Sequence, residues 1–236
     1  MKITLLTGKI YDIKDELGID IKVVPSRSVR RLILKIDSKE RVPVLSVPRF
    51  CSRRKAINFV NEHMGWIMTE LAKIPKVKKF ENGDKFSLFG KSVEICHQPD
   101  ARCGVLLNGE QLIVSGGEEF LHRRIKDYIK KEAQKNFYAQ SQSLAKKINR
   151  KITGVSIKDT KSRWGSCSSL NHLNYNWRIA LAPDYVISYL LAHEVAHLCH
   201  PDHSADFWDC VSILNPNWKV GHNWLKKHGK TLYCYE

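Results

Sequence analysis

The chain has 236 residues, 43% of them hydrophobic, which is enough for one good core or two modest ones sharing a boundary. Lys and Arg number 39 against 24 Asp and Glu, a net charge of +15 that attracts anionic partners, nucleic acid above all. No stretch approaches the roughly 20 apolar residues a bilayer span needs, and residues 1–18 alternate apolar and charged types without a long apolar run. The expectation is a cytoplasmic protein without a membrane partner. The seven cysteines are odd in number and form no C-x-x-C pair, which argues against a disulfide framework and for reduced, mostly buried thiols.

The first half reads as β-rich. Residues 29–36 and 41–47 are extended runs, with Pro43 and Pro48 marking an edge or a strand end. Ser52 caps a helix reaching about Lys73, whose apolar positions Ala56, Val60, Met64, Ile67, Met68 and Leu71 keep helical spacing. His63 is expected to face solvent, and the Ile74-Pro75 step ends the helix. A meander follows, punctuated by Asn82-Gly83, Asn108-Gly109 and Gly116-Gly117, with strands near 85–89, 92–97, 104–107 and 111–115. His97 and His122 lack metal-ligand spacing and read as structural or exposed.

A long helix is expected over about 118–148. Leu121, Ile125, Ile129, Ala133, Phe137, Gln140, Leu144 and Ile148 trace its apolar face, and ten Lys or Arg between Arg123 and Lys151 make the other face basic. Strands return over 152–182, where residues 162–180 suggest a hairpin directly before a helix opened by Pro183. The organisation expected is a β-rich N-terminal domain over 1–117 and a second domain over 118–236.

That last helix carries His193-Glu194-Val195-Ala196-His197, an H-E-x-x-H motif. Residues four apart share a helix face, so the two imidazoles can grip one zinc ion, and Glu194 can take a proton from its water. A catalytic zinc usually has three protein ligands, so one is missing. His200 lies roughly 10 Å from His193 along a straight helix, too far to share an ion with bonds of about 2.0–2.1 Å. Pro201 turns the chain, and His203 then completes the spacing H-E-x-x-H-x-x-H-x-x-H, close to a zinc-protease pattern in which a glycine stands where His200 does. His203 is the preferred third ligand; His200, Asp206 and Asp209 are the alternatives. Ser204 starts a short helix through Phe207, Trp208 and Val211, and Trp218, Trp224 and Leu225 belong to a last helix stopped at Gly229.

Residues 162–168 (Ser-Arg-Trp-Gly-Ser-Cys-Ser), Asn176-Trp177-Arg178 with Leu181-Ala182-Pro183, and His193-Glu194-x-x-His197-Leu198-x-His200-Pro201-x-His203-Ser204-x-x-Phe207-Trp208 resemble the YgjP-like metallopeptidase family. The similarity to SprT-like and WLM zinc proteases is more distant. The resemblance implies a zincin-like α+β catalytic domain preceded by a β-rich part, one zinc ion on His193, His197 and His203, and Glu194 as general base. His200, off the general pattern, fits the family's own.

The expected function is zinc-dependent hydrolysis of a peptide or protein substrate, the strand over 173–178 pairing with an extended chain. Arg163, Tyr175, Arg178 and His222 are candidates to stabilise the oxyanion. Cys167 as nucleophile lacks an evident partner base. A second reading, motivated by the charge, is a nucleic-acid-associated protein, either a protease acting near DNA or RNA or a binding module with a degenerate metal site. A third is hydrolysis of a non-peptide amide.

Overall fold

A computed structural model describes residues 17–37, 40–74, 76–160 and 162–235. Expectations placed on residues 1–16 and on Pro75 lie outside them. The chain divides into two compact units, Met1–Lys76 and Val77–Glu236.

In the first unit a three-stranded sheet runs in the order β1-β3-β2. β1 (Lys22–Ser26) pairs parallel with β3 (Val42–Pro48), and β2 (Ile33–Asp37) pairs antiparallel with the other side of β3. Both prolines therefore lie on the central strand and not on an edge strand, Pro48 at its end as expected and Pro43 as its second residue. The helix expected to run to Lys73 is two helices, α1 (Arg53–Glu62) and α2 (Met64–Ala72). Ser52 caps α1 by accepting a hydrogen bond from the Lys55 amide at 3.3 Å. The break falls at His63, which leaves helical geometry at φ −105° and ψ 9°. Its ring is half-buried, donates from Nδ1 to the Phe59 carbonyl at 2.8 Å and packs on the Phe59 ring, so it does not simply face water. Val23, Leu45, Val60 and Ile67 are the centre of this unit's core.

The second unit begins at Val77, well before the boundary expected after residue 117. The reason is packing. Strands β4 (Lys85–Leu88), β5 (Lys91–His97), β6 (Val105–Asn108) and β7 (Gln111–Val114) bury Phe86, Leu88, Val93, Ile95, Leu112 and Val114 in the same core as the long helix and the metal-motif helix. The β-rich stretch is thus split between the two units. Its sheet order is β4-β5-β7-β6, with β5 and β7 parallel, so the expected meander is wrong in one step.

Helix α3 (Leu121–Lys147) buries Leu121, Ile125, Ile129, Ala133 and Phe137, as its spacing predicts. Past Phe137 the buried positions become Ser141 and Ala145 rather than Gln140 and Leu144. Ser141 is buried because its hydroxyl meets the Tyr175 hydroxyl at 3.0 Å, which satisfies both polar groups.

A second three-stranded sheet follows, ordered β8-β10-β9. β8 (Gly154–Lys158) runs parallel to β10 (His172–Asn176), and β9 (Gly165–Cys167) pairs with β10 as the expected hairpin. The strand does not continue to residue 180. Asn176 accepts from the Arg178 amide at 3.0 Å, and residues Trp177–Leu181 form a fully buried 3-10 turn. Helix α4 (Asp184–Ala196) carries the metal motif, followed by α5 (Ala205–Leu214) and α6 (Trp218–His228). Gly221 lets α6 approach α4 closely: a Cβ there would lie 2.5 Å from that of Tyr189 and 2.8 Å from the Tyr185 carbonyl oxygen. No helix among the described residues is long and apolar enough to cross a membrane.

Candidate metal centre

From Val186 onward helix α4 is buried or half-buried on every side, so its polar residues there are fixed by their surroundings. His197 closes the helix, and the chain tightens through Leu198, Cys199 and His200, whose amides donate to Val195, Ala196 and Ala196. Pro201 then prevents helix continuation, and His203 returns to the motif.

The three imidazoles converge. One nitrogen from each of His193, His197 and His203 lies within 4.8 Å of the others. His193 Nε2 and His203 Nε2 are 3.3 Å apart. Two ligands at about 2.0–2.1 Å from a tetrahedral zinc ion are separated by roughly 3.3–3.4 Å, so this pair fits such an ion. The opposite ring nitrogens of His193 and His197 are engaged. His197 Nδ1 donates to the His200 carbonyl at 2.9 Å, and His193 Nδ1 meets the Tyr189 hydroxyl at 3.4 Å. These partners fix which nitrogen faces the centre, as ligating histidines require. The His200 side chain is not in the triad; its backbone contributes through His197.

Phe207, fully buried on α5, supplies the floor. Its ring lies 4.9, 4.5 and 4.7 Å from those of His193, His197 and His203. Trp208 flanks His193 and is itself stacked on Trp218 at 4.4 Å. Burial, then the neighbouring histidines, pushes His193 down to about 3, so its imidazole stays neutral at neutral pH. Burial also lowers His197. Imidazoles that resist protonation, as His193 and His197 do, suit a divalent borderline-soft cation.

Glu194 is 4% exposed. It sits beneath strand β9, where a Cβ on Gly165 would lie 2.4 Å from Glu194 Oε1 and 2.6 Å from Cδ. Only glycine leaves room for this carboxyl beside the strand. Burial pushes Glu194 up to about 8, opposed by the charge of Arg163.

The family model described as YgjP-like, metallopeptidase domain, matches residues 30–228. The chain belongs to the YgjP-like family. No curated protein and no solved structure matches it. Family membership makes this a metallohydrolase domain.

The remaining candidates separate within this YgjP-like domain. Arg178 is 0% exposed and binds Asp159 at 2.6 Å and the Tyr235 carbonyl at 3.1 Å, so it is a core residue and not an oxyanion partner. Tyr175 is likewise buried, with its hydroxyl on Ser141. Cys167 is a thiol pushed up to about 11, by burial and then by Glu194, and is protonated at neutral pH. His222 is half-buried, packed among Tyr189, Trp208 and Trp218 behind His193. Arg163 is exposed at the start of β9, and its charge reaches Glu194. Asp206 and Asp209 are exposed and do not join the triad.

Sequence reasoning missed Tyr189 and Gly165. The signal for Tyr189 was its position four residues before His193, on the same helix face. Gly165 gave only the general hint of a glycine inside a strand. The strand expected to pair with substrate, β10, has both sides occupied by β8 and β9. Among the described residues the two outer strands, β8 and β9, each keep an unpaired edge, and β9 is the one that lies against Glu194.

Proposed function

We propose that this YgjP-like domain is a zinc-dependent peptidase in which His193, His197 and His203 hold one zinc ion and Glu194 is the general base. The observation that carries the reading is the convergence of three imidazole nitrogens within 4.8 Å beside a buried carboxyl on the same helix. A zinc ion held there supplies a Lewis acid that polarises a carbonyl and acidifies water. Glu194 takes the proton of the attacking water and returns it to the departing nitrogen. Tyr189 and the His200 carbonyl keep His193 and His197 in the ligating orientation. Phe207 keeps bulk water from the inner side of the triad.

The edge of β9 supports a peptide as the substrate class. This strand is bonded to β10 on one side only, and Gly165 within it lies against Glu194. An extended peptide added to that edge would run past the general base, held by main-chain hydrogen bonds that read no particular sequence. This favours a peptide over a small non-peptide amide.

The test uses an unfolded protein, such as reduced and alkylated casein, and counts newly released amino groups. Release is expected with the zinc-loaded protein, lost after removal of the metal by a chelator and restored by adding zinc back. Undiminished release from metal-free protein would sink the reading. Cleavage confined to small acyl amides would replace the substrate class while leaving the metal chemistry intact.

A further inference from the structure

The Met1–Lys76 unit carries a second feature, on residues remote in sequence from the metal ligands. β1 and β3 run parallel with Ser26 opposite Pro48, so the segments leaving both strands emerge at the same end of the sheet. Those segments and the first turn of α1 enclose a cavity of about 730 Å³. Of the eleven described residues that line it, five are cationic and none is acidic: Arg27, Arg30, Arg31, Arg49 and Lys55. All five are exposed, and no carboxylate among the described residues pairs with any of them. An ordinary solvated face intersperses signs, as where Lys85 on β4 meets Glu94 on β5 at 3.3 Å. Here like charges gather around one concavity. The N-terminal end of α1, a ten-residue helix, adds its partial positive charge to the same place.

Phe50 stands at this rim, 93% exposed, the most exposed of the large apolar side chains. The Arg49 guanidinium lies 5.6 Å from its ring centroid. A bare aromatic face flanked by cations matches the two parts of an unpaired nucleotide: a phosphate for the cations and a base for the ring. A duplex hides its base faces, and an acidic peptide leaves the ring without a partner.

We propose that this cavity binds single-stranded nucleic acid, with phosphates on Arg27, Arg30, Arg31, Arg49 and Lys55 and a base stacked on Phe50. The site does not depend on zinc or on Glu194, so its failure and that of the peptidase reading are separable.

Fluorescence anisotropy of labelled oligo(dT) of about 15 nucleotides, titrated with the full chain at several salt concentrations, tests this. The logarithm of affinity falls linearly with that of salt, with a slope near −3.5 if all five cations engage, from about −0.7 per contact. Phe50→Ala weakens binding by about tenfold and Phe50→Trp preserves it. The double variant Arg30→Glu with Arg31→Glu weakens it more than tenfold and flattens the slope by roughly 1.4. Charge reversal at Lys130 and Lys131 on α3 changes little. Unchanged zinc content and thermal unfolding show that the variants are folded. Absence of binding at low salt overturns the proposal, as does binding that these cavity variants leave intact. Polyglutamate or phosphatidylserine vesicles binding as tightly as oligo(dT), with no effect of Phe50→Ala, would also overturn it and make the cavity an acidic-protein or membrane site.

Discussion

Glu194→Gln lowers peptide hydrolysis about a hundred- to ten-thousand-fold while zinc stays bound at the wild-type level. The substitution keeps the shape of the side chain and removes only its ability to accept a proton. Shape matters because the carboxyl occupies a confined space, with Gly165 of β9 against one oxygen. The amide fits the same space, and the three imidazoles lose no contact of their own. Binding and chemistry therefore part: metal content reports on His193, His197 and His203, and turnover reports on Glu194. Metal analysis and amino-group release on one preparation measure both. Turnover within tenfold of wild type in a zinc-loaded Glu194→Gln protein would remove Glu194 as the base.

Arg178→Ala destabilises the Val77–Glu236 unit by about 3 kcal/mol instead of acting on the chemistry. Arg178 is completely buried, and its guanidinium satisfies Asp159 and the Tyr235 carbonyl. It also lies over the rings of Trp177 and Tyr233 at 4.7 and 5.0 Å. Truncation strips all of these partners at once and leaves a void. Asp159 is 28% exposed at its side chain and keeps Lys126 at 3.9 Å, which holds the loss to the lower end for broken buried pairs. Urea unfolding of this unit measures the effect. A variant with unaltered stability and a selective fall in kcat would return Arg178 to the oxyanion role that its place in the sequence motif suggests.

Legibility followed the range of the physics. The metal motif was readable because helical periodicity is local: positions 193 and 197 share a face wherever the helix lies. His203 was readable because Pro201 constrains the chain next to it. The apolar stripe of α3 was readable as far as Phe137, and failed where burial of Ser141 depends on Tyr175, 34 residues away. The same limit applied to Arg178. It was expected within a strand running to residue 180 and as a candidate oxyanion partner, whereas Asn176 ends the strand and a long-range partner, Asp159, makes burial of the charge tolerable. The unit boundary was misplaced because composition sees strands β1–β7 as one β-rich stretch, and only tertiary packing assigns β4–β7 to the core of α3 and α4. The net positive charge was visible in the sequence, but the convergence of Arg27, Arg30, Arg31, Arg49 and Lys55 depends on β1 and β3 being parallel.

The central claim is that His193, His197 and His203, and not His200, hold the metal. Zinc per chain in wild type, His203→Ala and His200→Ala, measured after dialysis against a weak chelator, tests it most directly. One zinc per chain is expected in wild type and in His200→Ala, since the His200 carbonyl that orients His197 survives the substitution. His203→Ala is expected to lose its zinc. Loss of metal from His200→Ala with full retention in His203→Ala would contradict the account.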